Sequence, residues 1–473
     1  MLPKLLPGFR DFFPEQFAVR TYIFETWRRV VRRYGFVEYD GPPLEPLELY
    51  TLKSGDEIVK QLYAFEDKGG RAVALRPEMT PSFARMVALK AQSLKKPIRW
   101  FSIPHLFRYE RQQKGRLREH FQLNVDVVGE PHVMADAELL SVLIEVMREF
   151  GFTSDEVVAR VSDRRLLDAL LGHLGIPEER WVPVRLVLDK LERQPRDISA
   201  EKLVEAGLDA ATVEIVMGFD TLTFEAVQAQ YGDAPSMAPH VERFAEYLQF
   251  AEAMGIREWI RFDLTIVRGL AYYTGIVFEL FDRVGEFRAI CGGGRYDTLL
   301  DTLGGVDLPA LGFGFGDVVL GELLKARGKL PEFRADDYRY FIVAGQGVRA
   351  EDVLTVGSKL RRHIPGVEVK YGLNRAAIEE RRSSKQADDG RAMGANLILQ
   401  VNRHDGRHAN MNIGAVRSPE YPTIWSDITF ELTQALLSRT VDGVQDEIAA
   451  RALHANAVEA RQQLSLPNKP TTP

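Results

Sequence analysis

Residues 118–128, REHFQLNVDVV, alternate so strictly that an extended strand is the local structure they suit. Phe121, Leu123, Val125 and Val127 fall on one side of such a strand, and Gln122, Asn124 and Asp126 on the other. A chain built around it needs a sheet with one face on a core and a polar row on the opposite face. Immediately before it, FRYERQQKGRL forms a basic turn. Arg108, Arg111, Lys114, Arg116 and Arg118 lie within about a dozen residues, although the chain as a whole carries a formal charge of −6. That balance argues against indiscriminate nucleic-acid binding and leaves room for a local basic patch.

The 473 residues suggest about two to four domains. EQFAVRTYIFETWRRVVRRYGF has apolar residues at helical spacing (Tyr22, Ile23, Trp27, Val30 and Val31), with Gly35 as the stop. VEYDGPPLEP reads as an extended segment ending in prolines. Residues 71–76, 98–110 and 118–129 read as strands and 135–152 as a helix. Several strands joined by short turns, with helices packed on them, predict an α+β domain with a largely antiparallel sheet over 1–325. A helical insertion interrupts it at about 165–255, and strands return at 261–290. Residues 326–337 read as a polar linker. Strand and helix then alternate over 338–435, predicting a small α/β domain with a mostly parallel sheet. Residues 436–473 read as a helical extension with a frayed tail. Cys291 is the only cysteine, which excludes intrachain disulfides and cysteine metal clusters and fits a reducing compartment. Prolines and charges interrupt the opening MLPKLLPGFRDFFPEQF, and no apolar run approaches ~20 residues, so a cytoplasmic protein without a membrane span is expected.

Guanidinium groups form planar, two-pronged bonds to phosphate. Arginines beside a polar strand face therefore resemble a triphosphate site, and a solvated charged hairpin fits the spacing about equally well. Neither G-x-x-x-x-G-K-[ST] nor a helix-opening G-x-G-x-x-G is present. CGGGRYD (291–297) reads as a tight turn or a close backbone contact, and GFGFGD (312–317) as a buried strand with a closely packed neighbour. No histidine pair has zinc-site spacing, so no protein-bound metal is predicted.

FRYERQQKGRLREHFQLNVDVVG resembles the second motif of class II aminoacyl-tRNA synthetases in its histidine-specific form. LRPEMT (75–80), RGLAYYTG (268–275) and GGGRYD (292–297) resemble three further signatures of the histidyl-tRNA synthetase family, in the family's order. The likeness is nearest to its bacterial and plant-organellar branch. It implies a class II antiparallel sheet with flanking helices and a helical insertion, followed by an α/β anticodon-binding-like domain. It also implies a homodimer that uses L-histidine, ATP with accompanying Mg²⁺, and tRNA(His). Residue by residue, Arg108 and Arg268 match the catalytic arginines on the α-phosphate. Arg108, Glu110, Arg116, Phe121 and Arg268 match the ATP contacts. Glu78, Thr80 and Gln122 match the receivers of the α-amino group, Asp126 and Tyr273 the imidazole contacts, and Tyr272 and Tyr296 the remaining histidine pocket.

Some positions depart from the family pattern. Asp126 stands where glutamate is usual, Ala271 where aspartate is frequent, and Met79 for glycine. Val319 occupies the place of the third-motif arginine that stacks on adenine and meets the γ-phosphate. The alternative function is a histidine-sensing regulatory subunit of ATP phosphoribosyltransferase, a paralogue without aminoacylation activity. The retained Arg108, Arg116, Gln122 and Arg268, and about 135 residues after the linker, favour the enzyme. In the last domain Arg361, Arg362, Arg381, Arg382 and Lys385 suit either phosphates or a charged helix face.

Overall fold

The structure, a computed structural model, describes residues 4–51, 61–110, 115–267, 273–285, 287, 289–331, 338–403, 409–416, 424–428, 430–438 and 443–465. The chain divides into two units, Met1–Pro331 and Glu332–Pro473.

The first unit opens with the helix Pro14–Arg33, whose apolar stripe of Ile23, Trp27, Val30 and Val31 is buried. Gly35 ends it at φ +76°. Strands β1 (Val37–Glu38), β2 (Leu44–Pro46), β3 (Tyr63–Glu66) and β4 (Ala72–Leu75) follow, then the helix Thr80–Lys90. Next come β5 (Ile98–Ser102), β6 (His105–Phe107), β7 (Glu119–Val128), the helix Met134–Glu149 and β8 (Val157–Asp163). Six helices lie between Arg164 and Ala253, close to the expected insertion. Strands β9 (Ile260–Phe262), β10 (Ile276–Asp282), β11 (Cys291–Arg295) and β12 (Ala310–Gly316) complete the sheet, and the helix Asp317–Ala326 leaves it.

Among the described residues the large sheet runs β1-β5-β7-β12-β11-β10-β8-β9, with β6 also paired to β7. The six strands from β5 to β8 in that order are antiparallel to their neighbours, whereas short β1 and β9 join the edges in parallel. One face buries Leu123, Val125, Val127, Phe278, Phe313 and Phe315 beneath the helices Pro14–Arg33 and Met134–Glu149. Each such side chain removed from water contributes about 1.5–3 kcal/mol before entropy is counted. CGGGR is a central strand; of the two readings, a tight turn or a close backbone contact, the second is the one found. A Cβ on Gly293 would lie 2.5 Å from the Gly312 carbonyl, so the glycines permit the neighbouring backbone to approach.

The second unit contains β13 (Arg339–Ala344), β14 (Glu368–Lys370), β15 (Leu397–Arg403), β16 (Ala409–Ala415) and β17 (Ile424–Ile428), in the order β14-β13-β15-β16-β17. The mostly parallel sheet expected here is a mixed one. Two pairings are parallel and the two that join β15 to β16 and β16 to β17 are antiparallel. Short connections there leave no room for crossover helices. The boundary drawn at 435 falls inside the helix Phe430–Leu437, and the following helix Gly443–Ser465 is part of the same core. Ala449, Ala450, Leu453 and Ala457 are buried in it, and Asp446 pairs with Lys359 at 2.6 Å. The tail after 465 lies outside the described residues.

Candidate active site

β6 and β7 carry the basic hairpin. Beyond their ladder the Arg108 N–H donates to the Arg118 carbonyl at 2.9 Å, and Gly115 turns the chain at φ +72°, which glycine adopts without a Cβ penalty. Arg108 and Arg116 line a cleft of about 560 Å³ together with Glu110, His120 and Gln122. Glu110 aligns Arg116 through an ion pair at 2.6 Å. Arg118 is directed elsewhere, its guanidinium lying 4.1 Å over the Tyr109 ring. Arg111 and Lys114 lie outside the described residues, as do Arg268, Ala271 and Tyr272.

Glycines form part of the cleft lining. Gly314 and Gly316 of β12 and Gly292 of β11 belong to it, while Phe313 and Phe315 face the core. A Cβ on Gly314 would come within 2.8 Å of the Gln122 amide, and one on Gly312 would run into the Asp126 carboxylate. The glycine–phenylalanine alternation thus fills the core on one side and leaves space for polar side chains on the other.

Further along β7 lies a closed polar cluster. Asp126 is buried and accepts the Tyr296 hydroxyl. Burial pushes its carboxyl up to about 7, although the Tyr296 hydrogen bond acts against the rise. Tyr273 and Tyr296 share an apolar surround with Phe83 and Val277. LRPEMT reaches the hairpin directly: Phe107 N–H donates to the Arg76 carbonyl at 3.0 Å, and Arg108 Nε to the Pro77 carbonyl at 2.9 Å. Burial pushes the Glu78 carboxyl up while the charge of Arg108 acts against it. Thr80 begins the helix Thr80–Lys90. Buried Met79, which replaces the family's glycine, fits because Gly41 faces it; a Cβ there would lie 3.2 Å from the Met79 methyl.

The expected residues are therefore distributed in two places. Arg108, Glu110, Arg116 and Gln122 line the open cleft, whereas Glu78, Asp126, Tyr273 and Tyr296 are buried and do not line it. Phe121, expected at ATP, requires correction. Its ring stacks on His105 at 4.2 Å, meets Phe24 edge-on at 5.2 Å and lies under Arg20, on the face away from the cleft. Strand parity explains this, since His120 shares a face with Gln122 and Phe121 does not. His120, Glu279 and Arg193 line the cleft without having been singled out in the sequence. For His120 the signal was that same parity; for Arg193, on the distant insertion, the local sequence contained none.

The start of the helix Asp317–Ala326 is anchored to its neighbours. Asp317 accepts the Phe121 N–H at 2.8 Å and pairs with Arg10 at 2.9 Å, fastening the end of β12 to β7. Val319 lines the cleft and packs beneath the hairpin turn, where a Cβ on Gly115 would stand 3.2 Å from it.

The solved histidyl-tRNA synthetase of a Nostoc species superposes with a TM-score of 0.75 at 22% identity, covering 93% of this chain and all of that one. The fold is that of a class II aminoacyl-tRNA synthetase. In sequence, a model of the histidyl-tRNA synthetase family matches residues 8–316. A histidine–tRNA ligase of Opitutus terrae is 48% identical over 349 residues, 73% of this chain and 80% of the relative. A chloroplastic/mitochondrial histidine–tRNA ligase of Arabidopsis thaliana is 45% identical over 325 residues, 69% of this chain and 66% of the relative. The chain belongs to the histidyl-tRNA synthetase family.

Proposed function

We propose that this chain activates L-histidine with ATP and transfers it to tRNA(His), with the two steps sharing the cleft and the buried cluster behind it. The observation that carries the reading is the placement of Arg108 and Arg116 in a cleft partly lined by glycines, beside Gln122, on the same strand as Asp126. Histidine's carboxylate attacks the α-phosphorus, pyrophosphate leaves, and the adenylate passes histidine to the tRNA 3′ end. Negative charge gathers on the α-phosphate oxygens during attack, where preorganised cations stabilise it. Arg108 takes that position in the proposal, with Arg268 as its family counterpart outside the described residues. Arg116, aligned by Glu110, takes the distal phosphates.

Glu78, Gln122 and Thr80, the last at the start of the helix Thr80–Lys90, suit the α-amino group. Asp126 and Tyr273 would meet the imidazole nitrogens and Tyr296 would close the pocket; Tyr272, also expected there, lies outside the described residues. A carboxyl poised at about 7 ionises readily when an imidazolium arrives. Mg²⁺ would enter with ATP, and the cleft carboxylate of Glu279 is a hard oxygen donor that suits such a hydrated ion. Among the described residues no group of three or more histidine, cysteine or acidic side chains is arranged to hold a metal ion.

The working form in this reading is a homodimer in the cytoplasm. Exposed Leu5, Leu6, Phe13, Phe17, Val37, Leu44 and Phe65 supply apolar surface for a partner. Among the described residues no helix is long and apolar enough to cross a membrane. The second unit, with its basic groups, is assigned to the tRNA. The test is histidine-dependent exchange of pyrophosphate into ATP, together with charging of a tRNA(His) transcript. Both should occur with histidine and with no other standard amino acid. Histidine binding without exchange would overturn the proposal in favour of the histidine-sensing role.

A further inference from the structure

The cleft contains a cation that its strands do not supply. Arg193 lies in the turn between the insertion helices Glu178–Leu188 and Arg196–Glu205, yet lines the same cavity as Arg108 and Arg116. In strand order it enters from the opposite side. The hairpin belongs to β7, whereas the Arg193 turn is tied to β8, with β12, β11 and β10 between them.

Its neighbours hold the turn in place. Leu191 is buried, and Glu192 receives both Arg160 Nη atoms at 2.6 Å. Arg160, on β8, is itself buried and paired with Asp263. On the other flank Gln194 donates to Ser199 Oγ at 2.8 Å and accepts from Lys202 Nζ at 2.9 Å. Between these anchors Arg193 is exposed, and among the described residues no carboxylate pairs with it. A turn fastened on both sides thus presents one uncommitted guanidinium to a cavity already lined by two others. The same lining includes Val319, on the helix Asp317–Ala326, where the class II pattern would place an arginine.

We propose that Arg193 binds the distal phosphates of ATP and supplies from the insertion the cation missing at Val319; this rests on the histidine-activation reading above. A flexible, fully solvated arginine would need no bidentate anchor at the residue before it and no pair of hydrogen bonds at the residue after it. Planar two-pronged pairing with a phosphate is the chemistry a free guanidinium at this place offers.

The experiment compares full-length wild type, Arg193→Ala and Arg193→Lys in histidine-dependent pyrophosphate exchange. It adds binding of a sulfamoyl analogue of histidyl-adenylate, which has no β- or γ-phosphate. Arg193→Ala should raise KM for ATP by about ten- to hundredfold, the effect of losing one charge-assisted bond. Histidine KM, analogue affinity and melting temperature should stay within about twofold or a degree of wild type. Arg193→Lys, which keeps the charge without the fork, should recover part of the loss. An unchanged KM for ATP, or equal weakening of ATP and the analogue, would overturn the assignment. Absence of exchange in the wild type would instead remove the activation reading on which it rests.

Discussion

At Asp126 the carboxyl faces burial on all sides and a single hydroxyl, and this gives it a measurable signature. Its folded value of about 7 stands above the ordinary 3.8, so the native state keeps a proton that the unfolded chain releases in between. Its stabilising contribution is full below about pH 4 and gone above about pH 7. Asp126→Asn cannot titrate, while its Oδ1 still accepts the Tyr296 hydroxyl. The variant's melting temperature should gain on wild type as pH rises from about 5 to 8, and a constant difference would contradict the assignment. Histidine binding should weaken at least about tenfold in the same variant, by calorimetry, if this carboxyl meets the imidazole. The even-numbered polar face of β7 was readable from alternation alone, as was the outward turn of His120. Phe121 shows the same parity from the other side, its ring packing on His105 and Phe24 and not in the cleft. The buried partners of Asp126 were not readable from local pattern, since Tyr296 arrives from 170 residues further along.

The glycine strands are the element on which the cleft depends. Gly293 faces Phe313, and a Cβ would stand 2.5 Å from its Cβ and from the Gly312 carbonyl. Gly293→Val should therefore cost at least about 1–3 kcal/mol in urea unfolding, and an unchanged midpoint would show that β11 and β12 separate freely. Next to it Arg295 is wholly buried, bonded to Asp136 at 2.6 Å and to the Glu130 carbonyl at 3.0 Å. Arg295→Ala leaves the Asp136 charge unpaired and should cost about 3–5 kcal/mol, whereas Arg295→Met with Asp136→Leu should cost much less. A larger loss in the double variant would contradict a purely structural pair. GFGFGD was legible as a buried strand because its phenylalanines mark one face. CGGGR was not, because without side chains its period has nothing to display.

At the scale of the molecule, each unit has its own core, Met1–Pro331 around the large sheet and Glu332–Pro473 around the small one. A chain ending at Pro331 should retain pyrophosphate exchange and lose most charging of tRNA(His); unchanged charging would remove the second unit from tRNA binding. In the full chain charging should fall more steeply with salt than exchange does, because only charging requires neutralised tRNA phosphates. The antiparallel sheet, the insertion and the second unit were legible from runs of alternation and helical spacing. The mixed pairing in the second sheet and the packing of Gly443–Ser465 were not, because both depend on contacts between distant segments. The central claim concerns one substrate lying across two neighbouring places. Its most direct measurement is a crystal structure with the sulfamoyl analogue of histidyl-adenylate bound. The account expects the imidazole at Asp126 and the α-phosphate mimic at Arg108; an analogue lodged elsewhere, or reversed between those ends, would contradict it.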